Sequence, residues 1–178
     1  MMSYTIITHF DMAGYKTIHS CMDVVGGERI CRVPYGRVED SMRYQVDTLP
    51  FHFTVSSSKE PFALLINKLE GLRFSPFELM VNGLGVMSGR DDSKVLYFGV
   101  EQSMEYNAMQ AELFDRIGNP NYFPNATTIH MTLCISKDHD KINRLKTNIE
   151  RTFTPFKLKV MSLGVYEIWP GKLMSIIS

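Results

Sequence analysis

The stretch His52-Phe53-Thr54-Val55-Ser56-Ser57-Ser58-Lys59 recurs without a gap as His130-Met131-Thr132-Leu133-Cys134-Ile135-Ser136-Lys137, at an offset of 78 residues. His, Thr, Ser and Lys coincide, and so do the apolar positions after each His and each Thr. Phe51, Phe53 and Val55 alternate with His52, Thr54 and Ser56; Ile129, Met131, Leu133 and Ile135 alternate with His130, Thr132 and Cys134. That period of two marks half-buried strands. Residues i and i+2 of a strand share a face, so each His and Thr stand together, opposite the apolar set. Cys134 falls on the same polar face, where it reads as a small filler. Ser58 and Ser136 are suited to cap the helices that follow. A repeated strand–helix unit implies two similar lobes about a pseudo-twofold axis. The apolar faces then enter the lobe cores, and the His/Thr faces line the gap between them.

Outward from the motifs the periodicity alternates between strand and helix. Ser3–Phe10 reads as a strand, Tyr15–Val25 as a helix closed by Gly26-Gly27, and Glu28–Val33 as a strand ending in a turn at Pro34. Phe62, Leu65, Ile66, Leu69 and Leu72 form a helical stripe. Phe77–Met87 and Val95–Val100 read as strands joined by a polar turn. Tyr106, Met109, Leu113 and Ile117 line a second helix stopped by Gly118-Asn119-Pro120. Ile142, Leu145, Ile149 and Phe153 share the face of a third. Phe156–Glu167 and Lys172–Ile177 are closing strands around a turn at Trp169-Pro170-Gly171.

Composition narrows the class of ligand. Apolar residues make up 44% and charged residues 21%, which fits a packed core and not a disordered chain. Lys plus Arg equals Asp plus Glu, 19 each, so the basic excess of a protein that grips long duplex nucleic acid is missing. A nucleotide or short RNA end is the more natural partner. The cysteines Cys21, Cys31 and Cys134 form no CxxC pair, and the odd count reads as a reduced, intracellular chain. There is neither a signal-peptide pattern nor an apolar run long enough to cross a bilayer. The expectation is a cytoplasmic monomer, with residues 1–178 as one bilobal domain.

Two imidazoles and two hydroxyls in one cleft suit phosphoryl chemistry. Histidine titrates near ~6.5, so one ring can accept a proton while the other donates one. Threonine hydroxyls can donate to the non-bridging oxygens of a phosphate held between them. The paired motifs His52-Phe53-Thr54-Val55 and His130-Met131-Thr132-Leu133 resemble those of the two-histidine (2H) phosphoesterase superfamily, which includes the bacterial 2′-5′ RNA ligase-like proteins and cyclic nucleotide phosphodiesterases. The resemblance spans residue 49 to the C-terminus, with a place for Ser3–Phe10. It implies an α+β fold of two pseudo-symmetric lobes, each an antiparallel sheet flanked by helices, with a central cleft. It implies a phosphodiesterase acting without metal or other cofactor on a 2′,3′-cyclic phosphate or 2′-5′ linkage of a nucleotide or RNA end. His52 and His130 are then acid and base, and Thr54 and Thr132 hold the phosphate. The alternatives are a nucleotide or RNA-end binding module on the same fold, and a metal-dependent hydrolase. For the latter no HxxxH, HExxH or paired-carboxylate ligand set is present.

Further candidates surround the motifs. Tyr122 and Phe123 precede the second motif and could stack on a base. Arg43 and Tyr44 precede the first and could reach the cleft. Lys59 and Lys137 read as solvated lysines. His9, His19 and His139 follow no pattern and read as surface or core. Gly83-Leu84-Gly85 lacks the remaining glycine of a dinucleotide fingerprint.

Overall fold

The computed structural model describes residues 4–23, 51–89, 92–101, 103–118, 129–167 and 172–178. In chain order they form β1 (Tyr4–Phe10), α1 (Met12–Asp23), β2 (Thr54–Ser58), α2 (Phe62–Leu69), β3 (Phe77–Ser88), β4 (Lys94–Val100), α3 (Met104–Ile117), β5 (His130–Ser136), α4 (His139–Glu150), β6 (Phe156–Glu167) and β7 (Lys172–Ile177). All strands pair antiparallel in a seven-stranded sheet with the path β2-β1-β6-β3-β4-β5, and β7 adds to β6. The fold is α+β, as expected.

The path reads the same from either end once β2 is matched with β5, β1 with β4 and β6 with β3. The element order repeats accordingly: β-α-β-α-β through β3, then β-α-β-α-β through β6. The halves are merged into one sheet by β3 and β6, which pair over five positions, Phe77↔Val160 to Val81↔Phe156, with Leu79 opposite Leu158 at the centre. Beyond that overlap β3 continues beside β4 and β6 beside β1.

A single apolar cluster unites the helices with one face of the sheet. Ile18, Leu65, Leu69, Tyr106, Leu113, Ile142, Leu145 and Ile149 from the four helices meet Ile6, Leu79, Phe98, Met131, Leu133 and Leu158 from the strands. Each of those side chains is at most 5% exposed, so each contributes roughly 1.5–3 kcal/mol of apolar burial. Strand neighbours that alternate with this set, such as Ile7 and Tyr166, lie outside the cluster and form a small one of their own. Among the described residues the sheet therefore has a helix-covered face and a helix-free face.

Local chemistry sets the helix ends. Ser103 caps α3 by accepting the N–H of Tyr106 at 3.0 Å. Asp138, not Ser136, caps α4 through the N–H of Lys141. Helix α2 starts after Pro61 with no side-chain cap, so Ser58 is not its cap either. Both serines accept the N–H two residues on, Glu60 at 3.1 Å and Asp138 at 3.0 Å. They close matching turns after the two motif strands, and the reach to each helix is too long for capping. Helix α1 begins three residues earlier than Tyr15, where Asp11 accepts the N–H of Gly14 at 2.7 Å. The expected strand at Glu28–Val33 and the turns at Pro34 and Trp169 lie outside the described residues.

Candidate active site

Both His-x-Thr motifs lead into the outer strands of the path: His130 opens β5, whereas His52 and Phe53 stand just before β2, which begins at Thr54. In the first half Ile7 faces Thr54, and the pairing runs one step past the start of β2. The N–H of Thr8 donates to the Phe53 carbonyl at 3.0 Å, and the Thr8 hydroxyl accepts the Phe53 N–H at 2.9 Å. Phe53 is fully buried in the core, so His52 and Thr54 fall on the other side of the backbone, half-buried. In the second half His130 opens β5 opposite Gly99, and Thr132 faces Tyr97. His130 and Thr132 are likewise half-buried, while Met131 and Leu133 are fully buried.

Directly after each threonine the ladder slips by one residue. Ile6 pairs with Ser56 while Ile7 pairs with Thr54, leaving Val55 as the extra residue; Leu96 pairs with Cys134 while Tyr97 pairs with Thr132, leaving Leu133. A bulge turns two successive side chains toward one face. Both Val55 and Ser56, and both Leu133 and Cys134, are consequently buried. This corrects the expectation that Cys134 shares the face of His130. It lies 3% exposed in the core, beyond reach of any ligand on the helix-free face. Two more bulges match in the same way, at Asn82 in β3 and at Met161 in β6.

The helix-free face carries a third histidine that sequence reasoning missed. His9 follows two residues after Ile7, which faces Thr54, and so shares the Ile7 face of β1 beside the first motif. His9 is half-buried, with Nε2 2.9 Å from the Tyr166 hydroxyl and Nδ1 3.2 Å from the Ser162 hydroxyl. Burial pushes its pKa below the ordinary histidine value, and burial pushes that of the Tyr166 hydroxyl up. Its ring lies on Gly164, where an added Cβ would come within 2.5 Å of Cε1 and Nε2. The matching glycine of the other half, Gly85, lies under Tyr97, whose Cζ and Oη are 2.3 Å from the Cβ position. Tyr97 in turn meets the His130 ring edge-on, centroids 5.6 Å apart at 67°.

The remaining candidates divide plainly. Arg43, Tyr44, Tyr122 and Phe123 lie outside the described residues. Lys59 and Lys137 are exposed, His19 packs edge-on against Phe51, and His139 bonds the Asp92 carbonyl at 2.8 Å. Among the described residues no three His, Cys, Asp or Glu side chains gather in a metal-binding group, and no helix is long and apolar enough to cross a membrane. A groove lined by Lys16, Cys21, Ile149 and Phe153 opens between α1 and the end of α4, away from both motifs.

A helix-backed antiparallel sheet, duplicated internally, with one His-x-Thr motif per half, defines a 2H phosphoesterase-type protein. Residues 42–168 match the family model of the 2′-5′ RNA ligase superfamily, and the chain belongs to that superfamily. Solved structures agree in fold. E. coli LigT, crystallised with 3′-AMP, superposes with a TM-score of 0.57 at 14% identity, covering 98% of this chain and 96% of LigT. TT0787 of Thermus thermophilus gives 0.59 at 13% identity, over 94% and 88%. Usb1 of Kluyveromyces marxianus gives 0.52 at 10% identity, over 97% and 96%. No curated protein matches in sequence.

Proposed function

We propose that the protein is a metal-independent phosphodiesterase that opens a 2′,3′-cyclic phosphate or a 2′-5′ linkage of a nucleotide or RNA end. The observation that carries this reading is the equivalent placement of His52-Phe53-Thr54 and His130-Met131-Thr132, each running into a bulge at the same point of a duplicated half. In a flat sheet the two outer strands would stand about 24 Å apart, five strand spacings. Bulges bend and twist the strands that contain them. Four of them at matched positions favour a sheet curled into a trough, with the motif strands as its facing rims. Nucleotides bound to relatives, 3′-AMP on LigT and uridine monophosphate on Usb1, support the ligand class.

In this reading one imidazole takes a proton from water as its oxygen attacks phosphorus. The other gives a proton to the 2′ or 3′ oxygen as the P–O bond breaks. Thr54 and Thr132 donate to the non-bridging oxygens, where negative charge grows. Ring strain in a cyclic phosphate lowers the barrier that the pair must remove. The same acid and base, run in reverse, would serve ligation.

The test is turnover of 2′,3′-cyclic mononucleotides and 2′-5′-linked dinucleotides in EDTA, wild type beside His52→Ala and His130→Ala. The expected result is EDTA-resistant turnover that falls about 10²–10⁴-fold in each variant. Turnover unaffected by either substitution, or abolished by EDTA, would sink the two-histidine reading.

A further inference from the structure

The two halves differ sharply in the row of side chains that crosses the helix-free face at the motif histidines. On the β5-β4-β3 side that row runs from His130 to Gly99 to Gly83. On the β2-β1-β6 side it runs from His9 to Ser162, with the strand of the first motif alongside β1. Where one arm carries the glycines Gly99 and Gly83, the other carries the hydrogen-bonded pair His9 and Ser162. Tyr166, two residues along β6 from Gly164, completes the relay.

The relay has a direction. The Tyr166 ring is 5% exposed and meets His9 edge-on at a centroid distance of 5.7 Å, so its hydroxyl is sheltered and fixed. A protonated phenol is a strong donor and a weak acceptor, which favours donation to His9 Nε2 across the 2.9 Å contact. A neutral imidazole accepting at Nε2 carries its hydrogen on Nδ1, and that hydrogen points to Ser162 Oγ at 3.2 Å. Ser162 then accepts from His9, and its own proton has no acceptor among the described residues. Ser162 is half-buried on β6, at the step next to the Met161 bulge and two positions from the β3–β6 overlap. Its hydroxyl proton is therefore open to solvent or to a ligand on that face.

From this we infer that Ser162 is a ligand-contacting residue of the trough, its hydroxyl donating to an oxygen of a phosphorylated ribose, with His9 and Tyr166 as the positioning residues that orient it. The inference rests on the reading of the helix-free face as the nucleotide site. Because the relay is neutral, it discriminates by hydrogen-bond geometry and adds no positive charge. Among the described residues it stands on the β2-β1-β6 side, where Gly99 and Gly83 take the matching positions of the other side, so it gives the nucleotide one preferred orientation.

Binding of 3′-AMP and of inorganic phosphate by calorimetry, with wild type, Ser162→Ala and Tyr166→Phe, tests it. Ser162→Ala is expected to weaken 3′-AMP binding about five- to tenfold, the effect of one lost hydrogen bond. An equal loss for phosphate assigns the contact to a phosphoryl oxygen, and a loss confined to 3′-AMP assigns it to the ribose. Imidazole 15N shifts should report His9 as the Nδ1–H tautomer in the wild type and as a mixture in Tyr166→Phe. Binding of 3′-AMP within twofold of wild type in Ser162→Ala, or an Nε2–H tautomer in the wild type, overturns the inference. Should His52→Ala abolish turnover while Ser162→Ala binds normally, the inference falls and the proposed function stands. Should Ser162 govern binding while His52→Ala changes nothing, the catalytic reading falls and the relay stands.

Discussion

Gly85→Ala would drive a methyl group into the Tyr97 ring. The new Cβ would lie 2.3 Å from Cζ and Oη of Tyr97, so the tyrosine ring must move. Overpacking of this kind costs roughly 1–3 kcal/mol. Alanine in a strand recovers about 0.5–1 kcal/mol relative to glycine. The net destabilisation is then about 0–2.5 kcal/mol, centred near 1 kcal/mol, which is a drop in Tm of roughly 2–4 °C for a chain of this length. The three atoms nearest the new Cβ all belong to Tyr97. In a Tyr97→Ala background the same Gly85→Ala change should be stabilising by about 0.5–1 kcal/mol. Urea unfolding of the four proteins closes a double-mutant cycle with an expected coupling of about 1–3 kcal/mol. Activity should follow: the displaced ring no longer abuts His130, so kcat falls in Gly85→Ala while Tyr97→Phe stays near wild type. Additivity within about 0.5 kcal/mol would refute the claim that Gly85 is glycine because Tyr97 lies on it.

Two further outcomes are expected. Thr8→Val keeps the side-chain shape but removes the acceptor of the buried Phe53 N–H, and should cost about 1–3 kcal/mol in urea unfolding, whereas Thr8→Ser should cost less. The pH dependence of stability should carry a contribution from His9. Its folded pKa is depressed by burial, so as pH falls the unfolded chain takes the proton first. That contribution is whole above the ordinary histidine pKa and is lost as pH falls through the folded value. The urea midpoint should therefore drop between pH 7 and pH 5 more steeply in the wild type than in His9→Gln.

Much of this architecture is legible in the sequence, and some of it is not. The His/Thr pairs stand out because alternation is a local signal that needs no partner strand. A second repeat has the same status. Ser75-Pro76-Phe77-x-Leu79-x-Val81-x-x-Leu84-Gly85-Val86 returns as Thr154-Pro155-Phe156-x-Leu158-x-Val160-x-x-Leu163-Gly164-Val165, at an offset of 79 residues. It marks β3 and β6 as equivalents, and the slip from every second to every third position after Val81 and Val160 marks the bulges at Asn82 and Met161. The bulges at Val55 and Leu133 leave no such trace, since Ser56 and Cys134 are small enough to be buried without looking apolar. That is why alternation alone puts Cys134 on the wrong face. His9 escapes a sequence reading for a different reason: its partners are 153 and 157 residues away, and only the register of β1 on β6 brings them together. The serines after each motif resemble helix caps because composition identifies a turn-closing hydroxyl but does not measure its distance from the first helical turn.

The short overlap of β3 with β6 has a consequence for how the chain could be divided. Leu79 opposite Leu158 is a residue meeting its own counterpart, which is the hallmark of an isologous interface between identical subunits. The polypeptide is in this sense a homodimer whose protomers have been spliced end to end and have since diverged. A fragment ending near Ser88 would keep the β1–β2 pair but leave β3 without either of its partners, β4 and β6, so that the Phe77–Val81 edge lies open. Such an edge is a template for another strand, and the partner that fits it best is a second copy of the same fragment.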